Sequence, residues 1–136
     1  MILRFSSSIP QSERDKLKYV INRAARSVGV DHRGLLVNVR RGQGGGRAYN
    51  WVWRTEEKAS QCRMIGLRVP PPAGFPYISR RHGLTIEAAN VYEWIAYIAG
   101  HEFGHILDYQ KNRPTTEQRA DWYGWTALQE YKEVTK

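Results

Sequence analysis

The sequence predicts an α+β fold, with an N-terminal helix, a small three- or four-stranded sheet and two C-terminal helices. Three observations predict it. Leu17, Val20, Ile21, Ala24, Ala25 and Val28 recur at three- and four-residue spacing, the period of one helical face. Residues 31–69 are rich in β-branched and aromatic side chains, punctuated by glycine and polar turns. Residues 91–109 form an apolar run that ends before Asn112-Arg113-Pro114, and a second periodic segment follows. A chain of 136 residues with 41% hydrophobic content is expected to form one domain, residues 1–136, with a modest core.

Each element has its own signal. Residues 1–5 read as an edge strand or an ordered tail. The first helix opens after Ser8-Ile9-Pro10 and stops at Gly29, the usual place for a helix terminator. Strands are expected over residues 35–40, 48–54 and 63–69, with a glycine-rich turn at 41–47 and a polar loop or helical turn at 55–60. Pro70, Pro71, Pro72, Gly74 and Pro76 make residues 70–82 a long irregular connection, expected to line a cleft. Residues 84–90 read as a helical turn or the start of the long helix. Asn90 and Glu93 have the form of a capping box, so that helix should run from Val91 to about Tyr109. Gly100 and Gly104 within it cost roughly 1 kcal/mol each against alanine, which implies close approach of a neighbouring element. Thr115 or Thr116 caps the last helix, expected to end near Tyr131.

The chemistry is concentrated in His101-Glu102-Phe103-Gly104-His105. Two histidines four apart on a helix share one face, so both imidazoles can close on one metal ion. Glu102 follows the first of them and can reach a water held by that metal, the arrangement of a zinc-dependent hydrolase. The chain has four histidines in all, and two are spent here, in an apolar helix where burying them without a partner is costly. Glu117, beyond the break, supplies a third ligand. Asp121 lies one turn further, where it can accept a ring N–H from a ligating histidine. Ala120, Gly124, Ala127, Leu128 and Tyr131 continue as a packing face.

His101-Glu102-x-x-His105 followed by Glu117-x-x-Ala120-Asp121 resembles the gluzincin metallopeptidases, over residues 90–131. The resemblance implies a zincin-like catalytic core holding one Zn2+ on His101, His105 and Glu117. It implies peptide-bond hydrolysis with Glu102 as general base, and an edge strand along which a peptide or protein substrate lies. Arg63, Met64, Ile65, Gly66, Leu67, Arg68 and Val69 are the candidate edge strand. Tyr123, Tyr109 and His82 are candidates for oxyanion or substrate contacts, and the sequence does not choose among them.

Two other readings remain open. A deformylase-like hydrolase would use Cys62 upstream of the histidine pair, but Gly104 stands where that family has an aspartate, and Ser60-Gln61-Cys62-Arg63 does not match its cysteine motif. A nucleic-acid-binding module with a structural metal site would need a fourth protein ligand, and none stands out. The net charge of +8 favours an acidic partner: nucleic acid, anionic lipid or acidic peptide. Arg40, Arg41 and Arg47, with Tyr49, Trp51 and Trp53 just after, are the candidate nucleic-acid surface. A single cysteine excludes an intramolecular disulfide. The polar first ten residues do not read as a signal peptide, and Glu93 interrupts the longest apolar run, so a cytoplasmic protein without membrane contact is expected.

Overall fold

The structure is a computed structural model that describes residues 1–43, 45–49 and 64–136, with the backbone alone over 47–49. The order is β1 (Ile2–Phe5), α1 (Gln11–Val28), β2 (Leu36–Arg41), β3 (Gly45–Tyr49), β4 (Met64–Val69), a 3-10 turn at Pro72–Gly74, β5 (Tyr77–Arg81), β6 (Leu84–Ala88), α2 (Val91–Gln110) and α3 (Glu117–Val134). It is an α+β arrangement of three helices and a small mixed sheet among the described residues. No helix among them is long and apolar enough to cross a membrane.

The helix signals act as their chemistry requires. Gly29 ends α1 in the left-handed region, φ 81°, with its N–H on the Ala25 carbonyl; a Cβ there would be strained. At the start of α2 the Asn90 side chain accepts the Glu93 N–H at 3.0 Å, and the Glu93 carboxylate accepts the Ala89 N–H at 2.9 Å. Thr116, rather than Thr115, caps α3 by accepting the Arg119 N–H. That helix runs to Val134, one turn beyond the expected end, because its last residues form an exposed continuation of the same hydrogen-bonded ladder.

The main sheet has the order β1-β2-β4-β3. β1, β2 and β4 are parallel, and β3 runs antiparallel on β4. Side chains alternate across a strand, so Val37, Val39, Ile65, Leu67 and Val69 form one buried face. α1 covers it with Leu17, Val20, Ile21, Ala24, Ala25 and Val28, and α2 adds Ile95, Ile98 and Phe103 to the same cluster.

Three expectations are corrected here. Met64–Val69 forms a strand, but it pairs with β2 on one side and β3 on the other, so it offers no free edge. Arg63 lies outside the described residues. Alternation in a sequence reports a strand and not its place in the sheet, which distant partners decide. The strand expected at 48–54 begins earlier, at Gly45 inside the glycine-rich stretch, and its residues 50–54 lie outside the described residues. Residues 70–82 and 84–90 are not an irregular loop and a helical turn. They contain the antiparallel hairpin β5–β6, joined by His82 and Gly83 at φ 49° and 78°. Two successive positive φ values give the twist that two-residue hairpin turns need. The arginines at the end of β5 masked its alternation, and Ile86 and Ala88 are buried at a spacing of two, not of a helix.

α2 and α3 approach closely through glycines. A Cβ on Gly100 would stand 2.7 Å from the Ala127 Cβ and 3.0 Å from the Gly124 Cα, and one on Gly124 would stand 2.6 Å from the Tyr97 carbonyl oxygen. Gly100→Ala is therefore expected to destabilise the protein. Alanine's helix propensity returns about 1 kcal/mol, whereas overpacking a tight contact costs typically about 1–3 kcal/mol. Urea unfolding measures this as a lower midpoint at unchanged slope, and a midpoint at or above the parent value would show that the helices yield freely.

Candidate metal centre

α2 carries His101 and His105 on one side because four residues make slightly more than one turn. Their rings lie 4.9 Å apart between centroids, at 80° to each other. The start of α3 brings Glu117 to both. Its Oε2 is 3.0 Å from His101 Nε2, and its Oε1 is 3.3 Å from His105 Nε2. One exposed carboxylate thus spans two largely buried imidazoles. Glu102 is buried, with Oε1 3.4 Å from His101 Nδ1. Donor atoms of His101, Glu102 and His105 lie within 4.8 Å of one another, a group that can hold a metal ion.

A second layer of contacts fixes these groups. Thr115 Oγ1 meets His105 Nδ1 at 2.5 Å, which leaves Nε2 toward Glu117. Asp121 is almost fully buried. Its Oδ1 accepts the Tyr97 hydroxyl at 2.6 Å and lies 3.2 Å from His101 Nε2, while its Oδ2 meets His82 Nδ1 at 2.7 Å. Asp121 accordingly stands against His101 and not His105, at the same ring nitrogen that faces Glu117 instead of the remote one.

The electrostatics follow from these distances. Burial pushes the His101 imidazole pKa down, but the carboxylates of Glu102, Glu117 and Asp121 outweigh it and raise the pKa above the ordinary 6.5. Burial, with the hydrogen bond to Asp121, raises the Tyr97 hydroxyl, so it serves Asp121 as a donor throughout the neutral range.

The other sequence candidates are dispersed. His82, at the hairpin tip, reaches the site through Asp121. The Tyr123 hydroxyl takes a hydrogen bond from Arg113 Nη2 at 3.2 Å, and its ring packs beside Gly104. Tyr109 packs partly buried against the core. Cys62, Trp51 and Trp53 lie outside the described residues, as do the side chains of Arg47 and Tyr49. Sequence reasoning missed Tyr97 and the contact of Thr115 with His105. Tyr97 could have been found from its place one turn before His101, on the stripe that meets Asp121. Thr115 carries no local signal beyond its candidacy as a cap.

No family model, curated protein or solved structure matches the chain. What the centre can do is therefore argued from its own chemistry.

Two outcomes test it. A metal must displace the His101 proton, and a raised pKa keeps that proton on to higher pH. The plot of log affinity for Co2+ against pH should break above 6.5, and Glu102→Gln should move the break downward by removing the strongest raising contact. A parent break at or below 6.5 would contradict the arrangement. Asp121→Asn keeps the shape of the side chain but loses its charge. Metal affinity should fall by roughly 10–100-fold with the circular dichroism spectrum retained, and unchanged affinity would remove Asp121 from the site.

Proposed function

We propose that the chain is a zinc-dependent metallopeptidase resembling the gluzincins, built on a zincin-like core. The observation that carries this reading is the Glu117 carboxylate facing Nε2 of both His101 and His105 at 3.0 and 3.3 Å. Two imidazoles and one carboxylate are the donor set of a catalytic zinc site, which keeps its fourth position open. Zinc held there supplies a Lewis acid and a water acidic enough to ionise near neutral pH.

The chain's own residues do the rest. Glu102, adjacent to the first ligand and held in a dry setting, accepts the proton from the attacking water and delivers it to the leaving amine. β3 is paired on one side only among the described strands, and it passes directly over this carboxylate. A Cβ on Gly46 would stand 2.7 Å from Ile98 Cγ2 and 2.9 Å from Glu102 Cγ. An extended peptide adding to that edge would run beside Glu102, with backbone hydrogen bonds giving affinity. β3 therefore replaces β4 as the substrate strand in this reading. His82, with Nδ1 engaged by Asp121 and its side chain part-exposed at the hairpin tip, can meet a carbonyl oxygen of the substrate.

One contact favours a competing reading. Asp121 Oδ1 lies 3.2 Å from His101 Nε2, close enough to make a closed, structural site of four protein ligands. Glu117 faces both imidazoles whereas Asp121 faces only that of His101 and is tied to Tyr97 and His82, so the open site is preferred.

Glu102→Gln separates the two. The variant should retain about one zinc per chain while chelator-sensitive hydrolysis of casein or a mixed peptide library falls by at least about a hundredfold. Glu117→Ala should lose zinc as well as activity. A parent protein that binds zinc and cleaves nothing would establish the structural site. Full cleavage in Glu102→Gln would show that another group is the base.

A further inference from the structure

Among the described residues, the main sheet carries its helices on one side only. Arg41, on the face of Val37 and Val39, pairs with Glu13 of α1 at 2.5 Å. Arg14 of α1 lies over the Phe5 ring, and Leu67 lies beside Ile98 and Glu102 of α2 around Gly46. α3 packs against α2 and α1. The opposite face, defined by register, bears Ile2 and Arg4 on β1, Leu36, Asn38 and Arg40 on β2, and Met64, Gly66 and Arg68 on β4; Leu36 is buried at one end of it, and the arginines lie toward the other.

Among the described residues the arginines of this face are uncompensated. Arg40 and Arg68 are direct cross-strand partners, with Arg4 opposite Asn38 one step diagonally away. Adjacent strands are about 4.8 Å apart, and like charges directly opposite destabilise a sheet. Among the described residues no carboxylate pairs with Arg4, Arg40 or Arg68, whereas Arg33, Arg41, Arg113 and Arg119 all have acidic partners. Arg4 and Arg40 are exposed, and the Arg68 stem is seated on Gly42, whose Cβ would stand 3.3 Å from its Cδ. Three guanidinium groups are thus held across three neighbouring strands, a width of roughly 10 Å, with no described carboxylate to neutralise them.

We propose that this arginine-bearing sheet face binds the phosphate backbone of double-stranded nucleic acid. Guanidinium groups suit phosphate oxygens through paired N–H donors. Arginines fixed at strand spacing on a sheet meet phosphates that a duplex holds at regular spacing, and such contacts carry no base sequence, so duplex phosphates are the matching target. The binding is independent of base sequence and of the candidate metal centre.

The test is fluorescence anisotropy of the full chain with a labelled mixed-sequence DNA duplex over a salt series. A single strand and vesicles of phosphatidylserine in phosphatidylcholine serve as parallel probes. The triple variant Arg4→Gln, Arg40→Gln, Arg68→Gln should bind the duplex about tenfold or more weakly, and its log–log salt slope should be shallower by about 2.7, at about 0.9 for each phosphate no longer neutralised. Lys18→Gln, Arg23→Gln, Arg26→Gln on α1 removes the same charge and should leave both quantities near the parent values. Arg40→Gln alone should give about a third of the slope change, a readout that survives if the triple variant fails to fold. Equal loss in the two triple variants would reduce the effect to net charge and overturn the proposal. So would tighter binding of the single strand, binding of vesicles without the duplex, or no duplex binding at low salt.

Discussion

At Gly124 the two C-terminal helices come so close that a single added carbon would stand 2.6 Å from the Tyr97 carbonyl oxygen. The candidate site depends on this approach. His101 and His105 belong to α2, Glu117 and Asp121 to α3, and side chains of ordinary length meet only when the two backbones nearly touch. Glycine at 100, 104 and 124 lowers helix propensity by about 1 kcal/mol at each position. That cost is offset by packing and by bringing two carboxylates within 3.0–3.3 Å of two imidazoles.

The connection between the helices is held with equal care. Asp108 is fully buried and faces Arg113 Nε at 2.6 Å and Arg119 Nη1 at 3.2 Å. Arg113 also reaches the Tyr123 hydroxyl, which links the end of α2 to the middle of α3. A buried carboxylate without such partners would cost several kcal/mol. Its partners also fix the angle at which α3 leaves the turn, and therefore where Glu117 begins. Asp121 repeats the device at the site itself, joining α2 through Tyr97 and the β5–β6 hairpin through His82.

The sheet divides the molecule's charge. One face is consumed by the core. The other holds arginines that strand register sets side by side, with no acid among the described residues to answer them. The candidate metal centre, where α2 meets α3, gathers Glu102, Glu117 and Asp121 around the histidines.

Much of this could be read from the sequence because its causes are local. The α1 stripe, the Gly29 stop, the Asn90 cap and the His101–His105 pair each lie within one or two helical turns, where spacing alone fixes direction. Helix spacing likewise put Glu117 and Asp121 on one face of α3. The hairpin was hidden, since the Arg80–Arg81 pair obscured a two-residue period that only burial of Ile86 and Ala88 makes visible. Tertiary structure alone decided which strand forms the edge by the site. Met64–Val69 carries the stronger strand signal, yet Gly45–Tyr49 takes the outer position, because sheet order depends on partners distant in sequence. It also gave Gly46 its role, for a glycine in a glycine-rich stretch reads as a flexible loop until Ile98 and Glu102 are found where its side chain would be.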